Sequence, residues 1–255
     1  MAVRRERRGH VEIVTIDRPE ARNAIDGDTT WALSEIFDTL ETDDDVWAVV
    51  LTGAGDKAFC AGVDLKAIGS GNAERILNAP GGFAGIGQRF FPKPLIAAVN
   101  GAALAGGFEI VLSCDLAVAA EHATFGIPEV KRGLIAAAGG LLRLGKRIPL
   151  AIALEFAMTG DPVDAQRALT LGLVNRVVPS GTELDEAIAL AERICENAPV
   201  AVRLSKQLMR ESLDLTEDAA WKRNFELAGQ VTQTQDVWEG VRAFAEKRPP
   251  VWTGR

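Results

Sequence analysis

The chain has 255 residues, 47% of them hydrophobic and 25% charged, an ordinary globular composition that can bury a sizeable core without disulfides or metals. Its formal net charge of −7 gives no general attraction to nucleic acid or to an anionic membrane, and no apolar run approaches the roughly 18 residues that a membrane span needs. The three cysteines, Cys60, Cys114 and Cys195, contain no CxxC pair, which argues against a disulfide framework or zinc site and for reduced thiols in a cytoplasmic protein.

Arg4-Arg5-Glu6-Arg7-Arg8 lacks the apolar run of a signal peptide and reads as a solvated terminus. Val11 to Ile16 is β-branched and roughly alternating, which predicts a strand. A loop follows from Arg18 to Ala24. Leu33, Ile36, Phe37 and Leu40 then recur at helical spacing, with Asp28 and Thr29 as candidate caps. The continuous apolar runs Val46–Leu51, Leu95–Val99 and Leu116–Ala119 read as strands buried on both faces. Helical patterns lie between them, so the alternation predicts an α/β core.

From about Pro149 helical patterns dominate. Leu184, Ala187, Ile188, Ala191 and Ile194 form one apolar stripe, with Thr182 and Asp185 spaced as a capping box and Pro199 closing the helix. Residues 67 to 92 are the least regular part. Gly69, Gly71, Gly81, Gly82, Gly85 and Gly87 give them backbone freedom, and they read either as a mobile wall or lid of a pocket or as a surface loop with a short helix.

Gly53-Ala54-Gly55-Asp56-Lys57-Ala58 follows a strand and fits G-x-G-x-x-A, but Gly62 stands where a dinucleotide-binding helix would propagate. Two other segments carry more chemistry, Ala58 to Lys66 and Asn100 to Glu109. Each places glycine where a strand gives way to a turn, and the second then enters a helix, whose first N–H groups are free and favour negative charge. Two such turns facing each other would form an oxyanion hole; on spacing alone they are equally two tight turns. Glu109 and Glu129 are acids among apolar neighbours, and on the residues alone each is either an acid–base group or a solvent-facing or capping side chain.

Taken together, from Val11 to Arg248, these segments resemble the enoyl-CoA hydratase/isomerase (crotonase) superfamily. Arg18 to Ala24 looks like its N-terminal CoA-contacting loop, Phe59 to Lys66 its first oxyanion-hole motif, and Asn100 to Glu109 its second. Phe125 to Glu129, with Gly139 to Leu144, looks like the catalytic stretch beyond. The resemblance implies an α/β crotonase (ClpP/crotonase) fold, with stacked ββα units forming a spiral core over residues 1–195 and a helical trimerisation region over residues 196–255. It implies an enoyl-CoA hydratase that adds water reversibly across the C2=C3 bond of a 2-trans-enoyl-CoA. The backbone N–H groups of Val63 and Gly106 would form the oxyanion hole, and Glu109 and Glu129 would be the catalytic pair. Arg22, Ala61, Asp64, Leu65, Lys66, Ala137, Phe244 and Lys247 would contact substrate. No metal or other cofactor is implied, since coenzyme A is part of the substrate, and the expected assembly is a homotrimer or a dimer of trimers.

One departure stands out. The run Gly133-Leu134-Ile135-Ala136-Ala137-Ala138 replaces the usual glycine at Ala137, whose N–H would help to hold the catalytic water. This variant is similar to actinobacterial paralogues and to carnitinyl-CoA dehydratase relatives. The alternatives are therefore a Δ3,Δ2-enoyl-CoA isomerase, a carnitinyl-CoA dehydratase-like lyase and, outside enzymes, a non-catalytic acyl-CoA- or RNA-binding paralogue.

Overall fold

The structure, a computed structural model, describes residues 2–69 and 73–255. The strands in chain order are β1 (Val3–Arg8), β2 (Val11–Ile16), β3 (Ala48–Gly53), β4 (Ala58–Cys60), β5 (Leu95–Val99), β6 (Ala102–Leu104), β7 (Leu116–Ala120), β8 (Thr124–Gly126), β9 (Val163–Asp164) and β10 (Arg176–Val178). The helices are α1 (Gly27–Thr42), α2 (Leu65–Gly69), α3 (Ala73–Leu77), α4 (Gly106–Ser113), α5 (Gly140–Arg147), α6 (Leu150–Thr159), α7 (Ala165–Thr170), α8 (Glu183–Cys195), α9 (Pro199–Glu211), α10 (Glu217–Thr232) and α11 (Gln235–Glu246).

The apolar runs become the middle of a six-stranded sheet, ordered β1-β2-β3-β5-β7-β10 and parallel except for the β1–β2 pair. They are apolar throughout because both faces are covered. Val49, Leu51, Leu95, Ala97 and Val99 turn into the main core, while Ala48, Val50, Ile96 and Ala98 turn to the other face, under Ala187, Ile188 and Ala191 of α8. Three strands of this sheet each lead into a short strand of a second sheet, β4-β6-β8-β9, and then a helix: β3–β4–α2, β5–β6–α4, and β7–β8 through a 3-10 turn at Pro128–Arg132 to α5. That repeated ββα step stacks the ends of β4, β6 and β8 beside one another. From Pro199 onward, regular structure is entirely helical among the described residues.

Several local expectations change. The basic stretch at the start is solvated from Arg4 to Arg8 and also forms edge strand β1, which the sequence did not suggest, paired with β2 from Val3↔Ile16 to Arg8↔Val11. Its arginines protect the edge with charge, and Arg5 and Arg7 hold the buried carboxylate of Glu12 at 2.6 and 2.9 Å. The cap of α1 is Asp26, which accepts from Thr29 N–H at 2.8 Å, not Asp28 or Thr29. The capping box of α8 does not form, because the Thr182 hydroxyl donates to the Pro179 carbonyl and the Glu183 carboxylate takes the Gly181 N–H. Pro199 opens α9 rather than closing α8, which ends at Cys195. Strands β9 and β10 are too short for a period to show. The dinucleotide-like glycines lead into β4 and not into a helix.

Within residues 67 to 92, Gly71 lies outside the described residues. The short helix α3 carries exposed Glu74 and Arg75, but residues 82 to 87 of the glycine-rich part are buried. Phe83, Ala84 and Ile86 are each 3% exposed or less, so this stretch is a wall packed into the core. No helix among the described residues is long and apolar enough to cross a membrane.

Candidate active site

β4 and β6 run parallel, with Ala58 opposite Ala102 and Cys60 opposite Ala103, and their C-terminal turns meet. Glycine sets how closely. A Cβ on Gly62, which sits at φ +98°, would lie 2.9 Å from Ala105 Cβ and 3.0 Å from Gly106 N. A Cβ on Gly107 would lie 1.9 Å from the Cys60 carbonyl oxygen. Ala105, just before α4, takes φ 53° and ψ −129°. A non-glycine residue pays roughly 1–3 kcal/mol for such a conformation. It is held there by its N–H on the Gly126 carbonyl at 2.9 Å and by Phe108 and Glu109 N–H groups on its own carbonyl.

Two backbone donors at this junction have no acceptor among the described residues. Ile25 N–H donates to Gly62 O, and Asp64 N–H donates to Ile25 O, both at 2.8 Å. That pairing turns the intervening Val63 N–H away from Ile25. Gly106 N–H opens α4, where no intrahelical acceptor exists.

Glu109 lies one turn further along α4 and is 4% exposed. Its Oε1 accepts from Gly140 N–H at 2.8 Å. Gly140 has to lack a side chain, because a Cβ would sit 2.9 Å from Glu109 Cγ. Burial raises the Glu109 pKa from 4.5 to about 7; the Gly140 N–H opposes it, the charge of Glu129 adds to it, and the Ala138 backbone and Arg143 pull it down. Glu129 sits in the 3-10 turn after β8. Its Oε2 is buried with no hydrogen-bond partner among the described residues. Burial raises its pKa too, against its own backbone N–H and Arg132.

A carboxyl whose folded pKa is raised binds its proton more tightly when folded. The stability it confers is present below the unfolded value near 4.5 and is lost as pH rises through about 7. Glu109→Gln keeps an acceptor for Gly140 and removes that loss. Urea unfolding at about pH 8.5 is therefore expected to show the variant more stable by roughly 3 kcal/mol, with the difference vanishing near pH 4.5.

The Enoyl-CoA hydratase/isomerase family model matches residues 6–255. The crystal structure of an enoyl-CoA hydratase from Mycobacterium tuberculosis H37Rv superposes with a TM-score of 0.95 at 47% identity, over 100% of this chain and 99% of that one. A carnitinyl-CoA hydratase from Mycobacterium avium is 48% identical with a TM-score of 0.78, over 100% and 99% of the two chains. A carnitinyl-CoA dehydratase from Citrobacter koseri is 42% identical over 254 residues, 98% of this chain and 97% of that protein. The chain belongs to the enoyl-CoA hydratase/isomerase family. Its fold is the crotonase fold, with a helical C-terminal region.

The expected residues do not all gather around the Glu109 centre of this family member. Val63, Gly106, Glu109 and Glu129 sit on the stacked ends of β4, β6 and β8. Arg22 and Ala61 adjoin them through Ala61 N–H on Arg22 O at 3.1 Å, with the Arg22 side chain exposed. Leu65 and Lys66 project outward at the start of α2, whereas the Asp64 side chain is already engaged, by Arg18 at 3.0 Å and by Lys66 N–H. Phe244 and Lys247 are exposed on or just past α11, and in the single chain they join none of these groups. Ala137 is exposed and has no positive φ, so alanine replaces the usual glycine there without backbone strain.

Two residues that hold this centre together were not singled out by the sequence, although each lies in a segment that was. Asn23, 1% exposed, accepts from Arg18 N–H and donates to the Ala54 and Ala58 carbonyls, fastening the first loop to β4. Phe83 lies against Gly106, 2.7 Å from where a Cβ would be. Among the described residues, no cluster of three or more His, Cys, Asp or Glu side chains could hold a metal ion.

Proposed function

We propose that the protein is an enoyl-CoA hydratase that adds water reversibly across the C2=C3 bond of a 2-trans-enoyl-CoA. The observation that carries this is the pairing of buried Glu109 with half-buried Glu129, whose Oε2 is out of solvent, beside two uncommitted backbone donors. In this reading the thioester oxygen accepts from Val63 and Gly106 N–H. As water oxygen bonds to C3, negative charge moves onto that oxygen, and donors aimed at it stabilise the enolate more than the substrate, each by roughly 3–4 kcal/mol. Glu109 takes the proton of the water and Glu129 delivers one to C2, and proton exchange with solvent then returns Glu109 to the carboxylate and Glu129 to the acid. The two titrate as a pair, each poised by burial, and dehydration of a 3-hydroxyacyl-CoA runs the steps backwards. Water adds as a hydroxyl at C3 and a proton at C2 with no net oxidation or reduction, so the cycle as written calls on no redox cofactor, and coenzyme A arrives as part of the substrate.

Arg22, Ala61 and Asp64 to Lys66 line the bound CoA, partly through backbone atoms. Ala137 N–H faces the water, and Phe244 and Lys247 reach CoA, in the assembled enzyme from a neighbouring subunit. The assembly is a homotrimer or a dimer of trimers with residues 196–255 as its packing region. Exposed Met209, Trp221, Phe225 and Phe244 support that reading, since a soluble monomer rarely leaves so many large apolar side chains on one helical region. Its three free thiols fit a reducing cytoplasm.

A second reading is favoured by the relatives named for carnitinyl-CoA, in which the same acids dehydrate a 3-hydroxyacyl-CoA with a cationic tail. Assays of crotonyl-CoA, carnitinyl-CoA and a 3-enoyl-CoA separate the readings. Hydration of crotonyl-CoA is expected. Turnover of the 3-enoyl-CoA alone would make the protein an isomerase, and salt-dependent RNA retention with no turnover would remove it from enzymes.

A further inference from the structure

We propose that Arg143 is a positioning residue of this site, bridging the Gly87 wall to the Ala138–Gly140 segment and so fixing the N–H that holds Glu109. Its consequences for rate rest on the hydratase reading; those for Glu109 do not.

Arg143 lies on α5, one turn beyond Gly139. Its Nη2 donates to the Gly87 carbonyl at 2.7 Å and its Nη1 to the Ala138 carbonyl at 3.3 Å. The first acceptor is 56 residues away in sequence, so two unrelated segments share one guanidinium. Gly87 N–H in turn donates to Phe83 O at 2.9 Å, and the Phe83 ring lies on Gly106. On the other side, Ala138 leads to Gly140, whose N–H is on Glu109 at 2.8 Å. A closed series of contacts therefore joins a proposed oxyanion donor to a proposed catalytic acid, and Arg143 is the link between its halves. Gly139 leaves room for the link, since a Cβ there would lie 2.0 Å from Nη1. A planar fork holds the two carbonyls through two different nitrogens, whereas a lysine would have to reach both from one.

Arg143 also acts through charge. The charged groups acting on Glu109 are Glu129, which disfavours the carboxylate, and Arg143, which favours it. Arg143 is itself faced by Arg210 and by Cys114. Removing the guanidinium leaves Glu109 opposed by Glu129 alone, so its pKa rises, and it frees the Gly140 segment to shift. A displacement of about 1 Å at a positioning group is enough to cost around 100-fold in rate.

The test compares wild type, Arg143→Gln and Arg143→Lys by kcat and KM for crotonyl-CoA and by 13C NMR titration of the glutamate carboxyls, with Glu109→Gln assigning the signal. In Arg143→Gln, kcat is expected to fall about 10- to 100-fold with KM within about threefold, and the Glu109 titration to move up by roughly half a pH unit or more. Arg143→Lys is expected to restore the titration but leave kcat at least about fivefold down, because charge returns without the double bridge. An unmoved titration, or a kcat within about twofold of wild type, overturns the proposal even if the melting temperature falls. If Arg143→Gln does not fold, Arg143→Lys decides by the same kcat threshold. A wild type that does not hydrate crotonyl-CoA overturns the hydratase reading, and the titration then decides the role of Arg143 alone.

Discussion

Glu109→Gln and Glu129→Gln are each expected to slow crotonyl-CoA hydration by at least about 100-fold, the lower range for removing a general acid or base. The two substitutions differ in what they leave behind. Glu129 Oε2 has no hydrogen-bond partner among the described residues, so an amide there breaks no bond of the fold, and the loss should fall on kcat with normal unfolding. At Glu109 the amide oxygen still accepts the Gly140 N–H, so the site keeps its shape and loses only the proton acceptor. Steady-state kinetics with unfolding curves measures both. Near wild-type rates in two well-folded variants would show that neither carboxyl carries the chemistry.

Gly107→Ala is expected to have the largest structural effect of any single methyl at the site. The new Cβ would stand 1.9 Å from the Cys60 carbonyl oxygen and 2.6 Å from its carbon, inside any tolerable contact, and both atoms belong to backbone that cannot swing aside. Either α4 or the end of β4 must move, and each carries one of the two free N–H groups. Loss of one aligned oxyanion donor costs about 2.7–4 kcal/mol, or 100- to 1,000-fold in kcat. The variant should therefore show a fall of that size in crotonyl-CoA turnover, together with a urea midpoint well below wild type. A variant with both quantities unchanged would mean that the β4 and α4 turns need not touch, and the shared oxyanion hole would go with that contact.

Some of the site was legible from residues alone. The apolar runs of β3, β5 and β7 announce strands covered on both faces, because only full burial leaves no place for polar residues. Gly62 and Gly106 mark a close backbone approach, and the order of motifs carries the family, with Glu109 and Glu129 at the matching positions. The segment around Phe83 was harder. Its glycines suggest freedom, yet Gly85 and Gly87 are tight because Ser34 and Ala138 press on them. A glycine reports that a side chain is not tolerated without saying whether the reason is motion or crowding.

The sequence by itself determined the α/β class and the glycine turns that bring backbone close, which follow from local pattern, and the order of its motifs, through the family resemblance, singled out Glu109 and Glu129 as the proposed acids. Only the tertiary structure decided that Asp26 caps α1, that β1 pairs along the edge, that burial pushes Glu109 to about 7 and that Arg143 spans two distant carbonyls. Each of those depends on which atoms meet across long stretches of chain. A pKa or a hydrogen bond belongs to a neighbourhood, and the neighbourhood of Glu109 is assembled from β8, α4, α5 and the Gly87 wall only when the chain is folded.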